Sequence, residues 1–170
     1  EPDRYLITSL RLSLKTEFKP VLHYAGLLQE IGRDTPGGLT PAAVSDAVCK
    51  LRRRKLPDPE RQGNAGSFFK NPVVKPETAD RLLAEHAELP TWPQEGGSVR
   101  ISAAWMIEHC GLKGACEGGA SVSMRHALVL VNRGGATGHD VAALAERVQD
   151  TVRQTFGVEL EPEPKLVRFD

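Results

Sequence analysis

The stretch GNAGSFFKNP, at residues 63–72, places a serine hydroxyl among glycines and polar side chains. Because glycine carries no side chain, the backbone around Ser67 can approach a ligand closely. Lys70 and Asn71 add a cation and an amide, two groups that suit phosphate or sugar oxygens. The sequence contains no GxSxG elbow, so Ser67 is not predicted to be the nucleophile of a triad. Its hydroxyl can still donate a proton, a role that requires only the right position.

A purely structural interpretation of the same stretch stands beside this one. The glycines can form a tight turn that Phe68 and Phe69 anchor as buried rings. Short motif matches carry a high false-positive rate, so composition alone favours the structural interpretation.

The second candidate site is the sequence LEPE at residues 160–163. Glu161 and Glu163 are alternate residues, so on an extended strand their side chains point the same way. Pro162 and Pro164 restrict the backbone around Glu163, and a carboxylate held in this way suits acid–base or electrostatic chemistry. The alternative is a solvated edge strand whose charges discourage aggregation.

Cations and one histidine supply the remaining candidates. The run RRRK at residues 52–55 fits either a phosphate-binding cluster or a solvated helix end. Lys55 is the most constrained of the four, because LPDP follows it at once. His126 stands next to an apolar run that predicts a buried strand. The Gly-rich passage at 111–119 matches neither GxGxxG nor a Walker loop, so it does not indicate a nucleotide phosphate site.

The composition limits what such a site can bind. Lys plus Arg and Asp plus Glu both number 22, so the formal net charge is zero. The chain therefore lacks the basic excess that drives binding to nucleic acid or to anionic lipid. No apolar run approaches the roughly 20 residues of a membrane span, and no signal peptide is visible. Three cysteines without CxxC spacing predict free thiols in the cytoplasm and no metal site.

The helices and strands predicted around these residues indicate a mixed domain of α+β or α/β class. Residues 5–15 alternate apolar and polar side chains, which predicts a half-buried strand. A Gly/Pro-rich break follows at 32–39. The other predicted elements are a helix from Thr40 and Pro41, a long ordered loop at 56–72, a helix at 76–87, a strand at 98–101, a helix at 102–110, a strand at 126–132, a helix from Thr137 and Asp140 to Gly157, and an irregular extended end.

Five motifs in this order resemble a known family. They are KLPDP (55–59), GNAGSFFKNP (63–72), ISAAWMIEHCGLKG (101–114), HALVLVN (126–132) and LEPE (160–163). Together they are similar to the C-terminal half of the UDP-N-acetylenolpyruvoylglucosamine reductase (MurB) family. The resemblance implies a flavoenzyme of peptidoglycan synthesis, and hence a role in cell-wall biogenesis, cell shape and cell division.

The resemblance implies an activity as well. A member of this family binds FAD, takes a hydride from NADPH and converts UDP-N-acetylglucosamine enolpyruvate to UDP-N-acetylmuramate. Hydride adds to the vinyl methylene carbon, and a serine that matches Ser67 protonates the neighbouring carbanion. A glutamate that matches Glu163 assists the enol intermediate. This role fits the requirement that developing negative charge meet hydrogen-bond donors already in place.

Five further positions are implied to hold the UDP-sugar enolpyruvyl ether. Tyr24, Lys55 and Asn71 match residues that bind the sugar nucleotide at its diphosphate. Trp92 stands where relatives carry a tyrosine on a loop that covers the substrate. His126 stands where some relatives carry a glutamine at the phosphates. No cofactor-binding residue is assigned.

The resemblance also implies a domain organisation and the α+β class. Residues 1–37 would supply the last strand of an FAD-binding domain and the connection from it, 38–157 the substrate-binding domain, and 158–170 a segment that returns to the first domain. An N-terminal FAD-binding portion of the same protein would be the partner of this chain, which is expected to be inactive without it. The alternative is a sugar-nucleotide-binding module without catalysis, and a third hypothesis is a structural domain that binds nothing.

Overall fold

The computed structural model describes residues 5–24, 26–32 and 39–166, and the chain divides into two units, residues 1–52 and 53–170. The described helices are α1 (Leu27–Ile31), α2 (Pro41–Lys55), α3 (Pro76–Glu85), α4 (Ala103–His109) and α5 (Gly138–Phe156). The described strands are β1 (Asn64–Ser67), β2 (Val73–Val74), β3 (Thr91–Pro93), β4 (Val99–Ile101), β5 (Cys116–Glu117), β6 (Ala120–Val122) and β7 (Val129–Asn132). None of these helices has the length and apolar character needed to cross a membrane.

The first unit is built on α2, whose start agrees with the prediction. Ala43 N donates to Thr40 Oγ1 at 3.1 Å, and Pro41 occupies the first helical position, where its missing amide hydrogen costs nothing. Apolar side chains of α1 and α2 form a small core, namely Leu27, Ala47 and Leu51 with Leu22, Ile31, Val44 and Val48 around them. The helix predicted from Thr40 and Pro41 is therefore confirmed, whereas the sequence pattern does not predict α1.

The strand predicted at residues 5–15 is wrong. The segment lies outside every described helix and strand, and its apolar side chains are exposed, Leu6 at 87% and Leu14 at 81%. A strand requires hydrogen bonds from a neighbouring strand, and no strand in the described part of the chain pairs with this segment. The break predicted at 32–39 falls largely on residues that the structure does not describe.

The second unit contains two small antiparallel sheets. The larger has the strand order β1-β7-β6-β5, and the smaller has the order β2-β4-β3. In the larger sheet Ser67 lies opposite Val129, and in the smaller one Trp92 lies opposite Arg100. Helices combined with antiparallel sheets confirm the α+β class.

Helix α5 supplies one side of the core of the second unit. Its predicted capping box is confirmed, because Asp140 N donates to Thr137 Oγ1 at 3.1 Å and Thr137 N donates to Asp140 Oδ2 at 2.9 Å. Gly157 ends the helix at φ +69°, a conformation that glycine adopts at low cost. The apolar stripe of α5 joins one large core with the two sheets and α4; its buried members are Leu144, Ala145, Val148, Val152 and Phe156.

The remaining predicted elements differ from the structure mainly in the short strands. Helices α3 and α4 and strands β4 and β7 lie within their predicted ranges. The loop predicted at 56–72 is wrong in part, because β1 lies inside it and pairs with β7. Strands β2, β3, β5 and β6 have two or three residues each, too few for a repeating apolar pattern to reveal them.

Within the Gly-rich passage at 111–119, two glycines allow the chain to pack against the start of α5. Gly119 N donates to Asp140 Oδ2 at 3.3 Å. A Cβ on Gly118 would lie 2.4 Å from the Asp140 side chain, and one on Gly119 would lie 2.6 Å from Ala136 N. Both distances are too short for real contacts. Close packing therefore explains these two glycines without a ligand.

We expect Gly119→Ala to destabilise this chain, because the obstructing atoms belong to the backbone of Ala136 and cannot rotate away. Overpacking of this kind costs about 1–3 kcal/mol of the free energy of unfolding, which urea denaturation measures. Gly138→Ala is the matched control, since a Cβ at Gly138 meets nothing within 4 Å. Equal losses in the two variants would contradict the packing role of Gly119.

Candidate functional site

Ser67 ends β1 on an exposed position, and buried rings follow it. Phe68 and Phe69 are 3% and 1% exposed, and their rings meet edge to face with centroids 5.1 Å apart. Phe68 N donates to Leu128 O at 2.7 Å, so the backbone stays fixed beyond the serine. The predicted burial of both rings is confirmed. The two interpretations of this stretch are compatible, because the rings anchor the strand that presents the hydroxyl.

The LEPE segment pairs antiparallel with the residues that follow Ser67. Phe69 and Pro162 lie opposite each other in an isolated bridge. Glu163 N donates to Phe68 O at 2.8 Å. The backbone of Glu163 is thus bonded to the residue next to Ser67, although the two candidates are 96 positions apart in sequence. The structure brings together the two residues that the resemblance implies to be catalytic.

The two glutamates of LEPE have different surroundings. Glu161 accepts a hydrogen bond from Lys70 Nζ through Oε1 and forms an ion pair with it. The carboxylate of Glu163 is exposed, and among the described residues no hydrogen bond or ion pair engages it. Of the two carboxylates, Glu163 is therefore the one that can turn to a ligand without breaking an ion pair to a described residue.

His126 lies near two lysines, and this placement joins two predicted site residues. Burial and the charges of Lys55 and Lys113 lower the pKa of His126 below its usual 6.5, while the charge of Glu108 raises it. The folded protein therefore favours the neutral imidazole. Its Nδ1 accepts a hydrogen bond from Leu128 N at 3.3 Å, so the proton resides on Nε2. This geometry leaves the Nε2–H as a donor beside two cations.

Asn71 contacts the start of α4. Its Oδ1 accepts a hydrogen bond from Ala103 N at 3.0 Å, and the neighbouring Ser102 Oγ accepts one from Trp105 N at 3.1 Å. Both satisfy amides at the helix N-terminus that have no partner within the helix. The sequence analysis does not predict this structural role of Asn71.

Trp92 lies on the exposed face of the smaller sheet. Arg100, on the central strand β4, stands directly between Trp92 of β3 and Val73 of β2. All three residues are exposed, Trp92 at 45% and Val73 at 56%. Side chains at opposite positions on one face of a sheet are close enough to contact the same ligand. The three residues therefore place the planar ring of Trp92 next to the cation of Arg100.

Tyr24 is the one predicted site residue in the first unit. Its side chain is partly exposed, with 46% of its surface accessible, and its backbone oxygen accepts a hydrogen bond from Leu27 N at 2.9 Å. This bond ties the residue to the start of α1.

Sequence reasoning missed Lys113, Arg100 and the Lys70–Glu161 ion pair. Lys113 lies in the Gly-rich passage and also forms an ion pair with Glu108 at 3.0 Å. A signal for it was available, since a single cation among glycines is typical of an exposed position that can reach a ligand. For the partner of Lys70, no local signal exists in the sequence.

The Gly-rich segments of the second unit do not fit the diphosphate of FAD. Gly134 N and Ala136 N already donate to Asn132 Oδ1 at 2.7 and 3.1 Å. Gly114 N donates to Val122 O at 2.9 Å. With these amides used, we assign no described residue to the flavin. Among all the residues that the structure describes, no group of three or more His, Cys, Asp or Glu side chains could hold a metal ion.

Comparison with known proteins identifies similar chains. The family model described as the C-terminal domain of UDP-N-acetylenolpyruvoylglucosamine reductase matches residues 58–167. This range contains β1 to β7, α3 to α5 and the LEPE segment.

Several relatives carry the name UDP-N-acetylenolpyruvoylglucosamine reductase. The protein from Cupriavidus pinatubonensis is 49% identical over 167 residues, which are 97% of this chain and 48% of the relative. The protein from Shigella sonnei is 48% identical over 165 residues, or 97% of this chain and 47% of the relative. Among solved structures, the Thermus caldophilus enzyme of similar name is 26% identical with a TM-score of 0.46, covering 73% of this chain and 33% of that one.

We expect Lys113→Met to raise the pKa of His126, because the substitution removes one of the positive charges that lower it. An NMR titration of the imidazole measures this change. Lys75→Met is the control, since Lys75 is not among the charges that act on His126. An unchanged pKa in the Lys113 variant would contradict the described proximity.

The pH dependence of the free energy of unfolding gives a second test of the lowered pKa of His126. The folded protein disfavours the protonated ring, so the free energy of unfolding has its full His126 contribution above pH 6.5 and loses it as the pH falls toward the lowered pKa. His126→Gln should show a weaker loss of stability over this acidic range.

Proposed function

The chain belongs to the family defined by the C-terminal domain of UDP-N-acetylenolpyruvoylglucosamine reductase, and we propose that it forms the C-terminal half of such an enzyme. The proposed reaction converts UDP-N-acetylglucosamine enolpyruvate to UDP-N-acetylmuramate, with FAD as cofactor and NADPH as hydride donor. The chain spans about half the length of the curated relatives it matches. The proposal therefore includes a further, FAD-binding portion of the same protein.

One observation carries the catalytic part of the proposal. The hydrogen bond from Glu163 N to Phe68 O sets Glu163 beside Ser67. Both residues are exposed, while Phe68 and Pro162 beneath them are buried or half-buried. A hydroxyl and a carboxyl, held on two paired backbones and open to solvent, are the two groups that we assign to the reacting part of the substrate.

The chemistry of the substrate explains why a hydroxyl belongs there. FAD would supply the hydride that reaches the vinyl methylene carbon. The adjacent carbon, which bears the carboxylate and the ether oxygen, then carries the electron pair of the former double bond. Ser67 Oγ–H can donate its proton to that carbon and complete the saturated lactyl ether. Positioning of the donor before the reaction starts is what lowers the barrier.

Glu163 acts on the same intermediate in the proposal. Two like charges repel each other, so a carboxyl beside an enolate helps only when it donates a hydrogen bond. Pro162 and Pro164 limit the backbone conformations open to Glu163, which suits a group whose position must be fixed.

The cluster of Lys55, Lys113 and His126 suits the diphosphate of the substrate. Lys55 attracts the anionic oxygens, as does Lys113, whose charge Glu108 partly offsets, and the neutral His126 donates through Nε2. Asn71 uses its Oδ1 to hold α4, which leaves its Nδ2 as the atom that we propose for the sugar nucleotide. Trp92 offers a planar surface to the uracil or the sugar.

Two expectations about the whole protein complete the proposal. Residues 1–37, including the alternating segment at 5–15, would join the FAD-binding portion, and Tyr24 would contribute to binding of the sugar nucleotide. The cytoplasm is the proposed location. The three free thiols, Cys49, Cys110 and Cys116, support a reducing compartment.

Ser67→Ala tests the proposed function in the complete protein with FAD bound. The wild type should reduce its flavin with NADPH and reoxidise it with UDP-N-acetylglucosamine enolpyruvate. We expect the variant to keep the first step and to lose about 10²–10⁴-fold in the second, the usual contribution of proton transfer. Stopped-flow absorbance of the flavin separates the two steps.

Ser45→Ala, at an exposed serine of α2, serves as the control and should leave both steps unchanged. Equal losses of both steps in the Ser67 variant would show that the residue acts on folding or flavin placement instead. Substrate binding by the wild type without any turnover would favour the non-catalytic module.

Lys55→Ala should weaken substrate binding more than chemistry, because the diphosphate lies away from the reacting double bond. A charge-assisted contact contributes roughly 1.5–3 kcal/mol, so KM should rise about 10- to 100-fold with kcat little changed. Steady-state kinetics of the complete protein measure both. Lys50→Ala, at an exposed lysine of the same helix, is the control. A normal KM with a low kcat would contradict the placement of Lys55.

A further inference from the structure

We propose that the Lys70–Glu161 ion pair is a positioning pair that fixes the register of the LEPE segment and so holds Glu163 beside Ser67. The inference rests on the proposed function for its catalytic consequence. Its structural part stands on contacts within the second unit alone.

Lys70 and Glu161 join the two segments at one end of their contact through two interactions, one between backbones and one between side chains. Lys70 N donates to Glu161 O at 2.9 Å, and the side chains of the same two residues form the ion pair. Two residues further along LEPE, Glu163 N donates to Phe68 O at 2.8 Å. The ion pair and the Glu163 amide bond thus stand at opposite ends of a three-residue contact centred on Phe69.

Backbone bonds alone hold this contact weakly. The described ladder between the segments has two backbone bonds around one bridge. A register that is specified by few bonds slips easily, and a slip of one residue would turn the Glu163 side chain to the opposite face.

The upstream end of the segment is fixed separately. Leu160 is 2% exposed, and Gln149 Nε2 of α5 donates to Leu160 O at 2.7 Å. This anchor keeps the segment in place but lies three residues before Glu163. The Lys70–Glu161 pair lies two residues from Glu163 and opposes a shift of the segment closer to it.

The pair can act on position without dominating stability. Both side chains are largely exposed, at 50% and 70%, and exposed ion pairs contribute little to the free energy of unfolding. Its loss should therefore loosen the segment locally and leave the fold intact. This separation makes a test by substitution possible.

The first measurement is hydrogen exchange of the Glu163 amide in the complete protein. Lys70→Met keeps the side-chain length and removes the charge, and Lys70→Arg keeps a cation that can donate. We expect exchange at Glu163 to rise about two- to fivefold in the methionine variant, the range given by an exposed ion pair. The arginine variant should restore the wild-type rate. Exchange at Phe68, whose amide bonds to Leu128 O, should stay unchanged in both.

The second measurement separates positioning from a general structural effect. In Lys70→Met, consumption of the enolpyruvyl substrate should slow by up to about two- to fivefold, the range given by an exposed ion pair, because the rate follows the fraction of molecules in which Glu163 is in place. Flavin reduction by NADPH and the KM for the substrate should stay near the wild-type values, and Lys70→Arg should recover the rate. Arg153→Met removes another exposed ion pair, with Asp150, and should change neither step.

The outcomes distinguish the two proposals. Wild-type turnover with an unaltered Lys70→Met variant overturns the positioning pair and leaves the proposed function standing. Equal slowing of both steps, or no rescue by Lys70→Arg, overturns it as well. A wild type without turnover overturns the proposed function and the catalytic consequence, while the exchange rate at Glu163 still decides whether the pair fixes the segment. Unchanged exchange there overturns that structural part.

Discussion

The candidate site depends on a short run of backbone, Phe68 to Lys70, that is bonded on both sides. On one side Phe68 N donates to Leu128 O, and on the other side Phe68 O accepts from Glu163 N and Lys70 N donates to Glu161 O. The two phenylalanine rings hold this run in the core. Ser67 precedes it and Asn71 follows it, so one buried anchor sets the position of the hydroxyl, the carboxyl and the α4 cap together. The proposed protonation of a short-lived carbanion would need such a rigid support, because the donor must already be in place.

The parts of the fold that the sequence predicts are those whose information is local. A few neighbouring residues determine where a helix begins and ends. The structure confirms three such features: the start of α2 at Thr40, the capping box of α5 and the end of α5 at Gly157. The short strands give no such local signal. Two or three residues are too few to show a repeating apolar pattern, and their pairing depends on the partner strand. The segment at 5–15 shows the reverse case. Its alternation is typical of a strand, but a strand forms only when a partner supplies the hydrogen bonds.

The candidate site likewise contains residues that the sequence predicts and contacts that it does not. Ser67, Glu163 and Lys55 could be singled out from glycines, prolines and charges near them in the sequence, and the resemblance to a family gave them roles. The bond of Asn71 to Ala103 and the pairing of Lys70 with Glu161 could not be predicted, because they join residues 32 and 91 positions apart. Such contacts exist only after the core has formed. The same dependence explains why the lowered pKa of His126 follows from tertiary placement and not from the residue type.

A net charge of zero hides a separation of charge that matters for the proposed chemistry. Lys55 and Lys113 act on His126, and Glu108 acts on it with the opposite sign; the two lysines suit a diphosphate, which carries its charge before, during and after the reaction. Near Ser67 the cation Lys70 is paired with Glu161. Because Glu161 offsets the charge of Lys70, the proposed chemistry assigns stabilisation of the carbanion to hydrogen-bond donors and not to a fixed cation.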